Sequence, residues 1–371
     1  MESPKEWYTL NNTENKISPS LIVYPDRIEK NIQLMIKIAG GTNFLRPHIK
    51  THKIAEIVQL QLAYGIHKFK CATISEAELL AKCNVKDILL ALQPVGVNVS
   101  RFFELIEKYP NSKISTLIDN QASLHEIAEM ASSKKIMASI WLDVNCGMNR
   151  TGILPNEKAI ELYKAIDDNP NLKAEGLHAY DGHIHDSDFN LRKEACDKAF
   201  SPVQKLKDEL EKLGIAIKTI VAGGSPTFPI HCKRKNVESS PGTPILWDQG
   251  YANAFPDLKF LPAAVLCTRI ISKPTSNIIC LDLGHKAVAS EMKLPRVKIL
   301  GDNDFKQISQ SEEHLVIKTN EASKYTIGDF FYAIPIHICP TVAKYKSVLT
   351  VVDGESTGSW EVAARDHKIH I

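Results

Sequence analysis

The chain has 371 residues, 44% of them hydrophobic and 24% charged, with a formal net charge of +2 at pH 7. That length predicts two domains, and so small a net charge, with no dominating block of Lys or Arg, excludes an electrostatic case for nucleic acid or a membrane surface. The expected partner is a small molecule.

In chain order, the start MESPKEWYTLNNTENK is polar and lacks the apolar core of a signal peptide, and no run of about 18 apolar residues appears elsewhere. A soluble cytoplasmic protein is expected. Cysteines 71, 83, 146, 196, 232, 267, 280 and 339 show no close pairing and no CxxC, as thiols in a reducing compartment would. SLIVYPD (20–26) reads as a strand that joins the C-terminal part, and RIEKNIQLMIKIAG (27–40) as a helix.

From about residue 43 to 240, short β-rich runs alternate with segments of helical periodicity. The predicted strands are FLRPHIK (44–50), KFKCAT (68–73), DILLAL (87–92), ISTLID (114–119), MASIWLDV (137–144), AEGLHAY (174–180), IKTIVAG (217–223) and NVESS (236–240). Segments between them, such as ISEAELLAKC (74–83) and NQASLHEIAEMA (120–131), have Ser or Asn near the start as helix caps. Eight βα units predict an α/β protein with a (β/α)8 TIM-type barrel; an open doubly wound sheet is the competing arrangement. After residue 255 the runs AAVLCTRIIS (263–272), NIICLDLG (277–284), HLVIKT (314–319), FFYAIPIHI (330–338) and SVLTVVD (347–353) lack helical partners. They predict a second, C-terminal β-rich domain. The expected division is a barrel over 27–250 and a β-rich domain from 1–26 with 251–371.

Residues able to carry chemistry fall at predicted strand ends, where barrel active sites are built. RPHIKTHK (46–53) sets Lys50 beside His48, His52 and Lys53. A lysine near other cations and partly out of water forms a Schiff base with an aldehyde; otherwise these are solvated loop residues. VAGGSPTF (221–228) and SPGTP (240–244) are either tight turns or loops whose backbone N–H groups and hydroxyls meet an anion. LDVNCGMNRTG (142–152) offers Arg150 to an anionic oxygen or to a surface ion pair. EGLHAYDGHIH (175–185) offers Tyr180 to a planar ring or to packing, with His183 and His185 behind it as bases or solvated loop residues. In PIHICPT (335–341), read as a strand, His337 and Cys339 point to one side, either as two ligands of an incomplete metal site or as a chance HxC pair.

In this order and at these separations, RPHIKTHK, DVNCGMNRTG, EGLHAY, AGGSPT, SPGTP and HICPT resemble the D-threonine aldolase and D-serine dehydratase family, which has the alanine-racemase-type barrel that binds pyridoxal 5′-phosphate (PLP). The resemblance covers nearly the whole chain. It implies that Lys50 binds PLP covalently, that Arg150 contacts its phenolic oxygen and that Tyr180 faces its ring. Gly223, Gly224, Ser225, Gly242 and Thr243 fall where the family binds the phosphate. Ser240 stands where racemases of this fold carry an arginine facing the pyridine nitrogen. His337 and Cys339 match the metal ligands, and the cysteine points to zinc, with manganese or magnesium as alternatives.

The resemblance further implies a homodimeric, PLP- and metal-dependent lyase acting on β-hydroxy D-amino acids by retro-aldol cleavage to glycine and an aldehyde. His52 and His183, with His48 and His185, are candidate bases for that path. D-serine dehydration to a keto acid and ammonia is the alternative, then racemisation, and outside catalysis a PLP-binding regulatory protein.

Overall fold

The computed structural model describes residues 6–301 and 303–371; residues 1–5, expected in the β-rich domain, lie outside the described residues. The chain divides into two compact units. One holds residues 33–50, 58–242 and 366–371, the other the residues up to 32 together with 51–57 and 243–365. No helix among the described residues is long and apolar enough to cross a membrane.

The first strand, β1 (Ser20–Val23), belongs to the second of these units. In the other unit seven parallel strands follow: β2 (Lys68–Cys71), β3 (Asp87–Leu90), β4 (Lys113–Ile118), β5 (Ala138–Asp143), β6 (Leu172–Ala179), β7 (Ile220–Ala222) and β8 (Val237–Ser239). Their order in the sheet is their order in the chain. A doubly wound sheet reverses at a switch point; this one never does, so the barrel reading holds and the open sheet falls. Four of the intervening helices, Ile74–Lys82, Gln121–Lys134, Glu157–Asp167 and Phe189–Lys212, are each capped by a polar side chain that accepts an N–H of the first turn, from Thr73, Asn120, Asn156 and Asp188.

The predicted first strand, 44–50, is not one. It consists of 3-10 turns at Thr42–Phe44 and Ile49–Thr51 around two isolated parallel bridges, Leu45 to Ser239 and His48 to Lys70. Pro47 accounts for the difference, because it has no N–H to give a ladder. Its carbonyl accepts the Lys70 N–H at 2.9 Å, while the N–H groups of Arg46 and His48 donate to the Ser239 and Pro241 carbonyls at 2.8 and 2.9 Å. One irregular segment thereby meets β2 and β8, the two edges of the sheet, and completes the barrel.

Strand alternation sends every second side chain inward. Leu89, Leu117, Trp141 and Val221 form an apolar cluster. The fully buried Arg46 is held by Asp87 Oδ1 at 2.6 Å and by Glu238 Oε2 at 2.8 Å.

In the second unit β1 runs antiparallel to β9 (Ala264–Thr275) and parallel to β15 (Ser347–Val352), as the reading of SLIVYPD required. The sheet adds β10 (Ile278–Leu281), β11 (Val297–Ile299), β12 (Lys306–Gln310), β13 (Leu315–Lys318), β14 (Phe330–Pro335) and β16 (Glu355–Glu361). Tyr8, Ile22, Tyr24, Val265, Cys267 and Tyr332 lie in its core. The run 330–338 was expected to be all strand. It stops at Pro335, and Ile338–Val342 is a short helix with His337 as its N-cap. Asp248 Oδ2 accepts the Ile338 N–H at 3.0 Å. Pro340 suits a first helical turn, where N–H groups have no intrahelical partner anyway.

Candidate active site

Lys50 is exposed at the end of the irregular segment, and its N–H donates to His48 Nδ1 at 3.1 Å. His48 is itself tied to the Pro241 carbonyl, so the loop after β8 sets the backbone that carries Lys50. That loop is also bound to the loop after β7, since the Gly242 N–H donates to Ser225 Oγ at 3.3 Å. Gly223 has φ +76, a conformation that favours glycine. At Gly224 a Cβ would stand 3.0 Å from the Tyr180 ring, so the loop packs directly against that ring.

Tyr180 follows β6 and is half-buried. Arg150, after β5, sets its guanidinium 5.0 Å from the Tyr180 ring centroid, and Lys70 Nζ lies 5.6 Å from it. His183 is exposed, with its Nε2 where a Cβ on Gly147 would come within 3.0 Å. Ser240 is buried, and its Oγ has no hydrogen-bond partner among the described residues. A buried hydroxyl without a partner is costly unless a ligand supplies one. With the paired glycine loops and the exposed Lys50 amine, it makes the barrel end a fit for a phosphorylated aromatic aldehyde.

The second unit holds the other predicted residues. His52 is fully buried; its Nδ1 accepts the Ile54 N–H at 3.1 Å, so the ring proton sits on Nε2, which finds no partner among the described residues. Burial pushes its imidazole down to about 3. His52 is therefore a neutral donor through Nε2. The Thr243 hydroxyl lies 3.7 Å from Cys339 Sγ, and Thr51 Oγ1 lies 3.2 Å from it.

His337 and Cys339 do meet, though not across a strand. The Cys339 side chain raises the His337 imidazole, to about 9, and His337 Nδ1 pairs with Glu291. An imidazole and a thiol two residues apart at a helix start are a donor pair of zinc-like preference, with Glu291 on the imidazole's Nδ1.

Two buried networks escaped the sequence reading. Asp181 accepts the Thr227 hydroxyl at 2.8 Å and lies 2.9 Å from His231 Nε2, and Cys196 Sγ lies 3.2 Å from the same nitrogen. Asp181, Cys196 and His231 keep their donor atoms within 4.8 Å of one another, as a metal would require. However, Arg234 Nε donates to His231 Nδ1 at 3.3 Å, which leaves the ring proton on Nε2, facing Asp181. The cluster is a hydrogen-bond clamp from Asp181, next to Tyr180, onto Thr227 of the loop after β7. Against the upward push of burial, the His231 bond holds the Asp181 carboxyl below its usual range.

The other network joins Lys70, His178 and Asp143 inside the barrel. Strand alternation in KFKC and EGLHAY was the available signal: it turns Lys70 inward with Lys68 and His178 inward with Tyr180.

Comparison with known proteins follows the same lines. Residues 23–243 match the family model "Alanine racemase, N-terminal domain", and residues 263–351 match "Putative serine dehydratase domain". The chain is 26% identical over 354 residues to a D-threonine aldolase of an Arthrobacter species, covering 94% of this chain and 92% of that one. It is 24% identical over 375 residues to a D-serine dehydratase of Dictyostelium discoideum, covering 90% and 93%. The crystal structure of D-threonine aldolase from Filomicrobium marinum superposes with a TM-score of 0.86 at 24% identity, covering 94% of this chain and 95% of that one.

Proposed function

The chain belongs to the family of the alanine racemase N-terminal domain, and we propose on that footing that it is a PLP- and metal-dependent lyase of β-hydroxy D-amino acids, cleaving them to glycine and an aldehyde. The observation that carries this is the barrel end itself: the exposed Lys50 amine, the Tyr180 ring under Arg150, and two hydrogen-bonded glycine loops beside the unpartnered Ser240 hydroxyl.

Lys50 would hold PLP covalently, Arg150 its phenolic oxygen and Tyr180 its ring face. Gly223, Gly224, Ser225, Gly242 and Thr243 would hold the phosphate, Ser240 would face the pyridine nitrogen, and His337 with Cys339 would hold the cation, zinc by the chemistry of the thiolate. When bound, PLP supplies an electron sink for charge developing at Cα, and the cation a Lewis acid for the β-hydroxyl.

The chain's own part is to bind, orient and move protons. The Arg150 guanidinium fixes an anionic oxygen against Tyr180. The clamp on Asp181 keeps Tyr180 and the loop after β7 in register. His183, exposed beside Gly147, is the base for the hydroxyl proton, while His52, with its proton on Nε2, is a hydrogen-bond donor. Ser240 offers the pyridine nitrogen a hydroxyl in place of a charge.

Cys339 favours a second reading, the D-serine dehydratase, in which Lys50 removes the α-proton and the β-hydroxyl leaves. Product analysis separates the two. Incubated with D-threonine, protein loaded with PLP and zinc should release glycine and acetaldehyde; pyruvate and ammonia from D-serine, without cleavage of D-threonine, would establish the dehydratase. A homodimer is part of this proposal, and activity that falls on dilution in step with dissociation would support it. The cytoplasmic assignment is supported by eight free cysteines, seven of them buried.

A further inference from the structure

Lys70 is an amine that the chemistry above leaves unused. It is buried inside the barrel, and its side-chain Nζ lies 3.4 Å from His178 Nε2. His178 Nδ1 lies 2.7 Å from Asp143 Oδ1, and Asp143 Oδ2 accepts from Gln93 Nε2 at 2.9 Å. An ionised Asp143 fixes the His178 proton on Nδ1, so Nε2 presents a lone pair to Lys70. At its other side Lys70 faces the Tyr180 ring.

We propose that Asp143, His178 and Lys70 form a buried proton relay in which Lys70, beside Tyr180, is a second acid–base group of the site, distinct from Lys50. Asp143 and His178 are positioning residues. Lys70 takes one proton as an amine and returns it as an ammonium, and no other bond changes.

The surroundings favour this over a static ion pair. A lysine that served only as a cation would touch a carboxylate directly, because an uncompensated buried ammonium costs several kcal/mol. Here an imidazole stands between Lys70 and the nearest hydrogen-bonded carboxylate. Among the charged groups around Lys70, Lys50 and Arg46 oppose its charge and Asp143 and Asp181 favour it, while Arg150 acts on His178. Burial first, then the Lys50 charge, pulls the Lys70 amine down to about 7. A group poised there exchanges protons at neutral pH in both directions.

The relay's part in turnover rests on the lyase reading; its existence as a proton-holding group does not. The first test therefore uses the protein without cofactor, labelled with lysine carrying 13C at Cε and titrated by NMR. One lysine resonance should move with a midpoint near 7, vanish in Lys70→Met, and titrate at lower pH in Asp143→Asn, which loses the favouring charge. If every lysine titrates above about 9.5, or if the low-midpoint resonance survives Lys70→Met, the relay is overturned whatever the enzyme does. Should Lys70→Met not fold, Lys70→Gln and the comparison of wild type with Asp143→Asn decide. In the loaded enzyme, Lys70→Met should lose roughly 100-fold in kcat while PLP affinity stays within threefold. Loss of PLP binding instead would make Lys70 structural. If no β-hydroxy D-amino acid reacts but the titration is as expected, the lyase reading fails and the relay stands.

Discussion

Ser225 Oγ accepts the Gly242 N–H at 3.3 Å and so ties the loop after β7 to the loop after β8. Replacing Ser225 with Ala removes that bond and, on the proposed function, a hydroxyl facing the phosphate. A single hydrogen bond contributes about 1 kcal/mol. PLP affinity, followed by fluorescence titration, should fall roughly fivefold or more, with the midpoint of thermal unfolding down by a few degrees.

Lys50→Ala should abolish covalent attachment. The visible absorption of lysine-bound PLP should be missing, and borohydride should leave no label on the peptide spanning residues 46–53. A label found on Lys53 would move the assignment to that residue.

For the cation, His337→Ala and Cys339→Ala should each lower zinc affinity at least tenfold, measured by metal content after dialysis, with PLP content unchanged. An unaltered zinc content in both variants would remove this pair from the metal site.

His52 makes a prediction about acid stability. Its imidazole is neutral in the folded chain down to about 3, against 6.5 as the ordinary value. In that window the unfolded chain binds a proton that the folded chain refuses, so this contribution is whole above about pH 6.5 and is lost as pH falls toward 3. The loss is about 1.4 kcal/mol per pH unit. Chemical denaturation from pH 7 to pH 4 should show a slope for the wild type that His52→Phe lacks. Parallel curves for the two proteins would reject the assignment.

The barrel's regular elements were legible because strand and helix write different periods into the sequence. ISTLID and MASIWLDV read correctly on that basis. FLRPHIK did not, because its apolar residues fit a strand while Pro47 denies it the ladder, and only the folded neighbours β2 and β8 show what it does instead. The strands β12 and β16, KQISQ and ESTGSWE, are mostly exposed and polar, so they carry no alternation to detect. HICPT marked a metal-type pair by composition, yet the side chains meet through a helix start that the strand reading of 330–338 did not foresee. Lys70 and His178 lie 108 residues apart, and their meeting depends on barrel register rather than on any local pattern.

The irregular segment at residues 45–48 also has a dynamic consequence. The ladders between neighbouring strands from β2 to β8 share their load over several hydrogen bonds, whereas this seam rests on single backbone bonds at Arg46, His48 and Lys70, backed by the Arg46 ion pairs. Local opening should start at such a seam, well below the free energy of global unfolding. The amides of those three residues would then exchange hydrogen sooner than their neighbours in the central strands. Lys50 follows the seam directly, so the amine assigned to chemistry sits on the stave most free to breathe, while Tyr180 and the loop after β7 stand on strands held by full ladders.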